Sequence, residues 1–144
     1  MIKYREGRTL TDLVNAWALL RTLDNYYPDF EYWFVNTAMP SVMVGNDVLL
    51  IAESSGVMLG IALGRRSEPK LRCVRVCPQS QKTGLGIHLI EKMLILLNDE
   101  KPRCTVSEEL LHLYGRPLVN HFDFSLTSVA RGMYRKHKLE YVFN

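Results

Sequence analysis

Hydrophobic and polar positions change period several times along the chain, and each change predicts an element. Residues 2–8 alternate weakly, as an edge strand does. Thr9 or Thr11 then caps a helix carrying Leu13, Val14, Trp17, Leu20 and Leu23 at the 3.6-residue period. Residues 25–40 hold Tyr26, Tyr27, Phe30, Tyr32, Trp33 and Phe34. They read as a loop leading into a short helix over 29–36, with Pro28 suited to its first turn. Two apolar runs, 47–53 and 57–65, flank Ser54, Ser55 and Gly56 and predict an antiparallel hairpin of mostly buried strands. The turn residues Ser67, Glu68 and Pro69 lead to a further strand over 70–76, which Pro78 stops.

Residues 84–98 carry the clearest helical pattern. Ile87, Ile90, Met93, Leu94 and Leu97 share one stripe, while His88, Glu91 and Lys92 lie on the other side. A strand over 103–106 follows, then a helix from Ser107 or Glu108 that Gly115 and Pro117 interrupt, and a short helical piece over 117–121. Residues 126–135 and 139–143 read as two strands joined by the polar turn Lys136, His137 and Lys138. Mixed in this order, with no repeat, low-complexity stretch or linker, the elements predict one α+β domain over residues 1–144.

Composition narrows the class without naming the chemistry. With 144 residues, 47% of them hydrophobic and 23% charged, the chain is long enough to bury a core without disulfides or metals as staples. Its net charge of +3 comes from scattered Lys and Arg. The tightest basic runs, Arg65-Arg66 and residues 135–138, sit beside predicted turns where solvated charge accounts for them, so nucleic-acid binding gains little support. Cys73, Cys77 and Cys104 are odd in number and lack zinc spacing, which fits free thiols in a reducing cytosol and no metal site. No apolar run reaches the roughly 18 to 20 residues of a membrane-spanning helix, and the N-terminus shows no signal core, so the expectation is a cytoplasmic protein.

One stretch concentrates candidate chemistry. From Val74 to Ile87 the chain passes from a strand through the loop Gln81-Lys82-Thr83-Gly84-Leu85-Gly86 into the longest predicted helix. The first turn of a helix leaves backbone N–H groups unpaired, and their dipoles suit a phosphate. Gly84 and Gly86, without a β-carbon, let the backbone approach such a ligand. A Walker loop would end in Gly-Lys-Ser/Thr, which this one does not. A dinucleotide fold would want a third glycine where Leu89 stands and a shorter loop than 77–83.

The segment resembles the GNAT superfamily of N-acetyltransferases, whose signature Gln/Arg-x-x-Gly-x-Gly/Ala opens the helix after the fourth strand. Gln81, Gly84 and Gly86 match in register, Val74 and Val76 match the apolar pair of the preceding strand, and Pro78 matches a frequent proline. The order of predicted elements also follows the family over nearly the whole chain. The resemblance implies a mixed, mostly antiparallel sheet, splayed between the strand around Val74 to Val76 and the one over 103–106, so that pantetheine pairs with exposed backbone. It implies that amides of Lys82, Thr83, Gly84, Leu85, Gly86 and Ile87 bind the pyrophosphate of acetyl-CoA. Gln81 would brace the loop.

The activity implied is transfer of an acetyl group to a primary amine, on a small molecule or a protein, by direct attack. The alternative is a catalytically silent acyl-CoA-binding regulatory domain. A homodimer is left open. Family members commonly place an acidic tyrosine four residues before a Gly-Phe pair. Here Asp123-Phe124 stands in that place and Val119 at the tyrosine position, leaving Tyr114 as the nearest upstream candidate for the acid. Direct attack needs a neutral amine, and the candidate bases are Glu108 and Glu109, which also suit a helix's first turn for the dipole alone. Cys77 and Cys104 show no His and Asp partners of a nucleophile, and His112 and His121 read as polar helix positions. The acceptor pocket is expected from residues 26–40 and the final hairpin.

Overall fold

The computed structural model describes residues 1–21 and 27–144. β1 (Lys3–Gly7), β2 (Asp47–Ser54), β3 (Val57–Arg65), β4 (Lys70–Val76), β5 (Arg103–Ser107), β6 (Leu126–Arg131) and β7 (Leu139–Phe143) form one seven-stranded sheet. Its order is β1-β2-β3-β4-β5-β7-β6, and every neighbouring pair is antiparallel except β4 and β5. The helices are α1 (Leu10–Leu20), α2 (Phe30–Trp33), α3 (Met39–Met43), α4 (Leu85–Leu97) and α5 (Leu111–Arg116). The mixed, mostly antiparallel sheet flanked by helices is the architecture the sequence predicts.

The interior strand β2 is buried along both faces, because its apolar residues do not alternate with polar ones. Leu49 and Ile51 pack with Leu13 of α1, Phe34 and Val42. Val48, Leu50 and Ala52 pack with Leu89, Met93 and Leu97 of α4. Each such leucine, taken out of water, contributes about 1.5–3 kcal/mol, so helices on either face are held by the same strand.

Thr9 caps α1: its hydroxyl accepts from the Asp12 N–H and the Asp12 carboxylate accepts from the Thr9 N–H. Arg5 of β1 donates to both carboxylate oxygens of Asp12 at 2.9 and 3.2 Å, tying the helix start to the sheet. The buried stripe of α1 is Leu13, Ala16 and Leu20, and Val14, placed on it by the sequence pattern, is exposed. Leu23 lies outside the described residues.

Three boundaries differ from the sequence reading. The helix expected over 29–36 continues to Met43 through a π turn, Phe34–Ala38, closed by the Met39 N–H on the Phe34 carbonyl. Pro40 has no N–H and would crowd the carbonyl of residue 36 in a regular helix, and the widened turn takes up the mismatch. Likewise α5 passes through Gly115 without a break and changes to a π turn at Pro117–His121. The strand expected to reach residue 135 ends at Arg131, because Gly132, at φ 74°, turns the chain away.

The Arg5 guanidinium, by hydrogen bonding, lowers the Asp12 carboxyl from its ordinary 3.8 to about 2. A carboxylate with a depressed folded-state pKa contributes stability that is present above the unfolded value and lost as pH falls through the folded one. The stability advantage of the protein over Asp12→Asn, measured by urea unfolding, is expected to be full at pH 6 and to shrink between about pH 4 and pH 2. An advantage unchanged down to pH 2 would show that Asp12 acts only as a cap.

Candidate active site

The sheet opens where its one parallel pair fails. β4 and β5 are in register only at Lys70↔Arg103 and Leu71↔Cys104. Beyond these, β4 stays on β3 as far as Gly60↔Val76, while β5 stays on β7 as far as Ser107↔Glu140. The inner edges of both strands therefore face each other across a wedge with no ladder between them. A bulge sits at its apex: Leu63 opposes Cys73 and Gly64 opposes Leu71, so Arg72 is an extra residue in β4. Bulges sharpen strand twist and end pairing. Arg72 is anchored on the Asp47 carboxylate at 3.2 Å and lies over the Trp33 ring at 5.2 Å from its centroid.

The loop at the end of β4 carries the residues for which the sequence suggests an anion site. The Cys77 N–H bonds the Leu59 carbonyl at 2.8 Å, and Pro78–Ser80 forms a 3-10 turn. Gln81 then donates from Nε2 to the Val76 carbonyl at 3.3 Å, bracing the loop against its strand. Lys82 and Gly84 adopt left-handed φ values of 63° and 85°, and Thr83 lies exposed between them. The first backbone bond of α4 runs from the His88 N–H to the Gly84 carbonyl at 3.1 Å, so the amides of Leu85, Gly86 and Ile87 stand at the open helix end. A β-carbon on Gly84 would meet nothing within 4 Å, so conformation alone calls for glycine there. One on Gly86 would meet only Val76 Cγ2, at 3.8 Å, which leaves access by a ligand as its distinguishing property.

Two cavities meet in the wedge. One of ≈ 70 Å³, on the side of α4 and α5, is lined by Val74, Ile90, Val106, Ser107, Leu110 and Tyr114 among others. The other, of ≈ 220 Å³, lies on the face of α2 and is lined by Phe30, Trp33, Lys70 and Tyr134 among others. Tyr27, Arg72, Cys73 and Thr105 line both. Tyr114 is thus brought to the wedge from α5. The larger cavity draws walls from the aromatic segment and from the connection between β6 and β7, the two regions from which an acceptor pocket is expected, although Tyr26 lies outside the described residues.

Glu108 is placed elsewhere. Its carboxylate accepts the Leu139 N–H at 2.8 Å, bracing the start of β7, and it lines neither cavity. Glu109 holds Arg135 in a two-pronged pair at 2.7 and 2.8 Å, which lowers its carboxyl to about 2. A group this acidic is a weak base.

Sequence reasoning missed two features. Ser107 Oγ is buried on the smaller cavity with no hydrogen-bond partner among the described residues. Glu140, only 3% exposed, accepts the Tyr27 hydroxyl at 2.9 Å and a hydrogen bond from Thr105. Burial pushes the Glu140 carboxyl and the Tyr27 phenol up, with the two groups reinforcing the rise at Tyr27. The available signal was a lone carboxylate in the apolar run Leu139–Phe143.

No protein-family model matches the chain, and no curated protein matches its sequence. Solved structures do match its fold. An acetyltransferase of the GNAT family from Bacillus cereus superposes with a TM-score of 0.72 at 15% identity, covering 99% of this chain and 95% of that one. The ribosomal-protein-S18-alanine N-acetyltransferase from Escherichia coli gives 0.72 at 17% identity, over 99% and 92%. An aminoglycoside 6'-N-acetyltransferase solved with coenzyme A gives 0.66 at 12%, over 99% and 94%. The chain has the GNAT fold. Among the described residues no helix is long and apolar enough to cross a membrane, and no group of three or more His, Cys, Asp and Glu is placed to hold a metal ion.

Two thiols in or beside the wedge bear on mechanism. Burial pushes Cys73 and Cys104 up to about 12, so almost none of either is thiolate near neutral pH. Iodoacetamide at pH 8 is expected to label both much more slowly in the folded protein than in urea, read by peptide mass spectrometry. Rapid labelling of Cys104 in the folded chain would reopen it as a nucleophile.

Proposed function

We propose that this protein is an acyl-CoA-dependent N-acyltransferase, moving an acetyl group to a primary amine by direct attack on the thioester. The observation that carries the reading is the wedge between β4 and β5 running from the Gly84 loop to two cavities that share walls. The residues present suit an acyl-CoA. First-turn amides of α4 and the left-handed Gly84 suit a pyrophosphate, and the unladdered edge of β4 around Val74 and Val76 suits an amide-bearing arm. The likeness to an aminoglycoside acetyltransferase solved with coenzyme A supports the same cofactor. Catalysis rests on holding amine and thioester together and on amides that polarise the thioester carbonyl. The burial of Cys73 and Cys104, which keeps both thiols protonated, supports direct attack over an acyl-enzyme on either of them.

On this reading Tyr114, on the side of α4 and α5, protonates the departing thiolate. The amine enters from the larger, aromatic-walled cavity. The neighbours' names include both a ribosomal protein and an aminoglycoside, so an acceptor on either a protein or a small molecule is compatible with the fold.

Acetyl-CoA at ~100 times its dissociation constant is expected to stabilise the protein by about 2.7 kcal/mol, seen as a rise in melting temperature. Gly86→Asp, which has room beside Val76 but places negative charge at the helix end, is expected to keep its fold and lose that rise. CoA release would then be followed with propylamine, spermidine and a lysine-containing peptide as acceptors. Binding with no release for any of them would favour a silent acyl-CoA-binding domain. Tyr114→Phe is expected to lower turnover by roughly 10² to 10⁴ with acetyl-CoA affinity unchanged. A loss below tenfold would assign the proton to water.

A further inference from the structure

Glu140 is the least expected carboxylate in the fold. It lies opposite Ser107 in the β5–β7 ladder, so it shares a face with Ser107 and, two residues along β5, with Thr105. Thr105 on that face lines the larger cavity together with Phe30 and Trp33 of the aromatic segment, and Tyr27 of the same segment reaches down to Glu140. Among the described residues it forms no ion pair in contact. Burying a carboxylate without a contacting cation is costly, and a purely structural position would be served better by an apolar residue. Tyr27, its hydrogen-bond donor, is at the same time a wall of both cavities. A phenol exposed to the reacting groups on one side and backed by a buried carboxylate on the other is the arrangement of a proton relay.

We propose that Tyr27 and Glu140 form the proton-accepting site for the incoming amine, with Tyr27 touching the amine and Glu140 acting through it. The inference rests on the transferase reading and adds the base that reading lacks. The acceptor arrives as an ammonium ion. Its N–H proton passes to Tyr27 Oη as the Tyr27 proton passes to Glu140 Oε1, leaving a neutral amine and a carboxylic acid. The amine nitrogen then forms the C–N bond, the C–S bond breaks, Tyr114 gives its proton to the thiolate, and the second nitrogen proton restores Tyr114. Glu140 afterwards returns its proton to solvent. The sum is one ammonium and one thioester giving one amide, one thiol and one released proton.

The groups around Glu140 favour this role. Tyr27 and Thr105 donate to it, and the Ser107 hydroxyl lies across the ladder. The positive charge of Arg135 favours the carboxylate but is already held by Glu109, whose negative charge opposes ionisation of Glu140, while Glu108 also lies near Arg135. Burial dominates, so Glu140 is a stronger base than a surface carboxylate.

The test compares two acceptors at pH 7: whichever amine of the panel is turned over fastest, protonated at that pH, and hydroxylamine, which is mostly neutral there. Glu140→Gln is expected to lower kcat/KM for the protonated amine by roughly a hundredfold and for hydroxylamine only slightly, because only the first must lose a proton to attack. The deficit should shrink as pH rises towards ~10, where a lysine-like amine becomes neutral. Tyr27→Phe, which keeps the ring, should show the same selective and pH-dependent loss, and it keeps the test open should the buried Gln variant fail to fold. Both variants should bind acetyl-CoA as the parent does. Equal losses for the two acceptors, losses parallel at all pH values, or no loss would overturn the relay while leaving the transferase reading intact. If the unmutated protein binds acetyl-CoA and releases CoA with no acceptor, the transferase reading itself fails and the relay falls with it.

Discussion

The structure turns on two strands that begin as a pair and then part. A parallel ladder that stops after Leu71 and Cys104 leaves backbone donors and acceptors of β4 and β5 facing a gap, and buried backbone groups without partners are costly. Neighbouring elements keep the gap from closing. β4 is held on its outer side by β3 and pinned at its bulge by Arg72 on Asp47, while β5 is held by β7. Glu108 fastens the start of β7 to the end of β5, so β5 and β7 cannot follow β4 independently. The wedge is thus a stable feature of the sheet with an unmet demand for hydrogen bonds, which an extended, amide-bearing ligand arm suits.

From that geometry the site's two sides follow. The chain leaving β4 at Val76 turns into α4 at Leu85, and Gln81 on the Val76 carbonyl holds the loop to the end of the strand. The helix end, with its unpaired amides, therefore stands beside the end of β4, the strand whose inner edge lacks a ladder. The two helical layers, set on opposite faces by the doubly buried β2, give the wedge one side facing α5 and one facing the aromatic segment. Tyr114 reaches it from the first and Tyr27 from the second. The two cavities, one on each face, thus meet at the split.

How much of this could be read from the sequence differs between elements and site. Strands such as β3 and β4 were legible because Ser54-Ser55-Gly56 and Pro78 punctuate them, and α4 because its stripe is long and its start is marked by Gly84. Boundaries failed where a single residue overrode the pattern: Gly132 ended β6 early, and Pro40 converted a helix end into a π turn that carried the helix onward. The open helix start at Gly84 was legible because it is local, made by backbone within a few residues of that glycine. Glu108 was chosen for its place after β5, but the tertiary fold spends it on the Leu139 amide. Glu140 and Tyr27, 113 residues apart, meet only through the pairing of β7 with β5 and the packing of the aromatic segment above them, which no period in the sequence reveals.

The same distinction explains the missing tyrosine at Val119. Val119 falls within the π turn that begins at Pro117 and is exposed. A wider turn rotates every following side chain relative to a regular helix, so spacing counted back from Asp123-Phe124 does not carry the usual direction. Tyr114 precedes that turn, in regular α5 geometry, and points its ring into the packed cluster on the α4 side where the smaller cavity opens. Moving a functional phenol by five positions along a helix normally swings it far around the axis. Here Tyr114 stands between the 3-10 turn at Glu108–Leu110 and the π turn that begins at Pro117, and it lines the smaller cavity. Spacing counted back from Asp123-Phe124 therefore crosses an irregular turn, and it does not by itself decide whether a tyrosine on α5 faces the wedge.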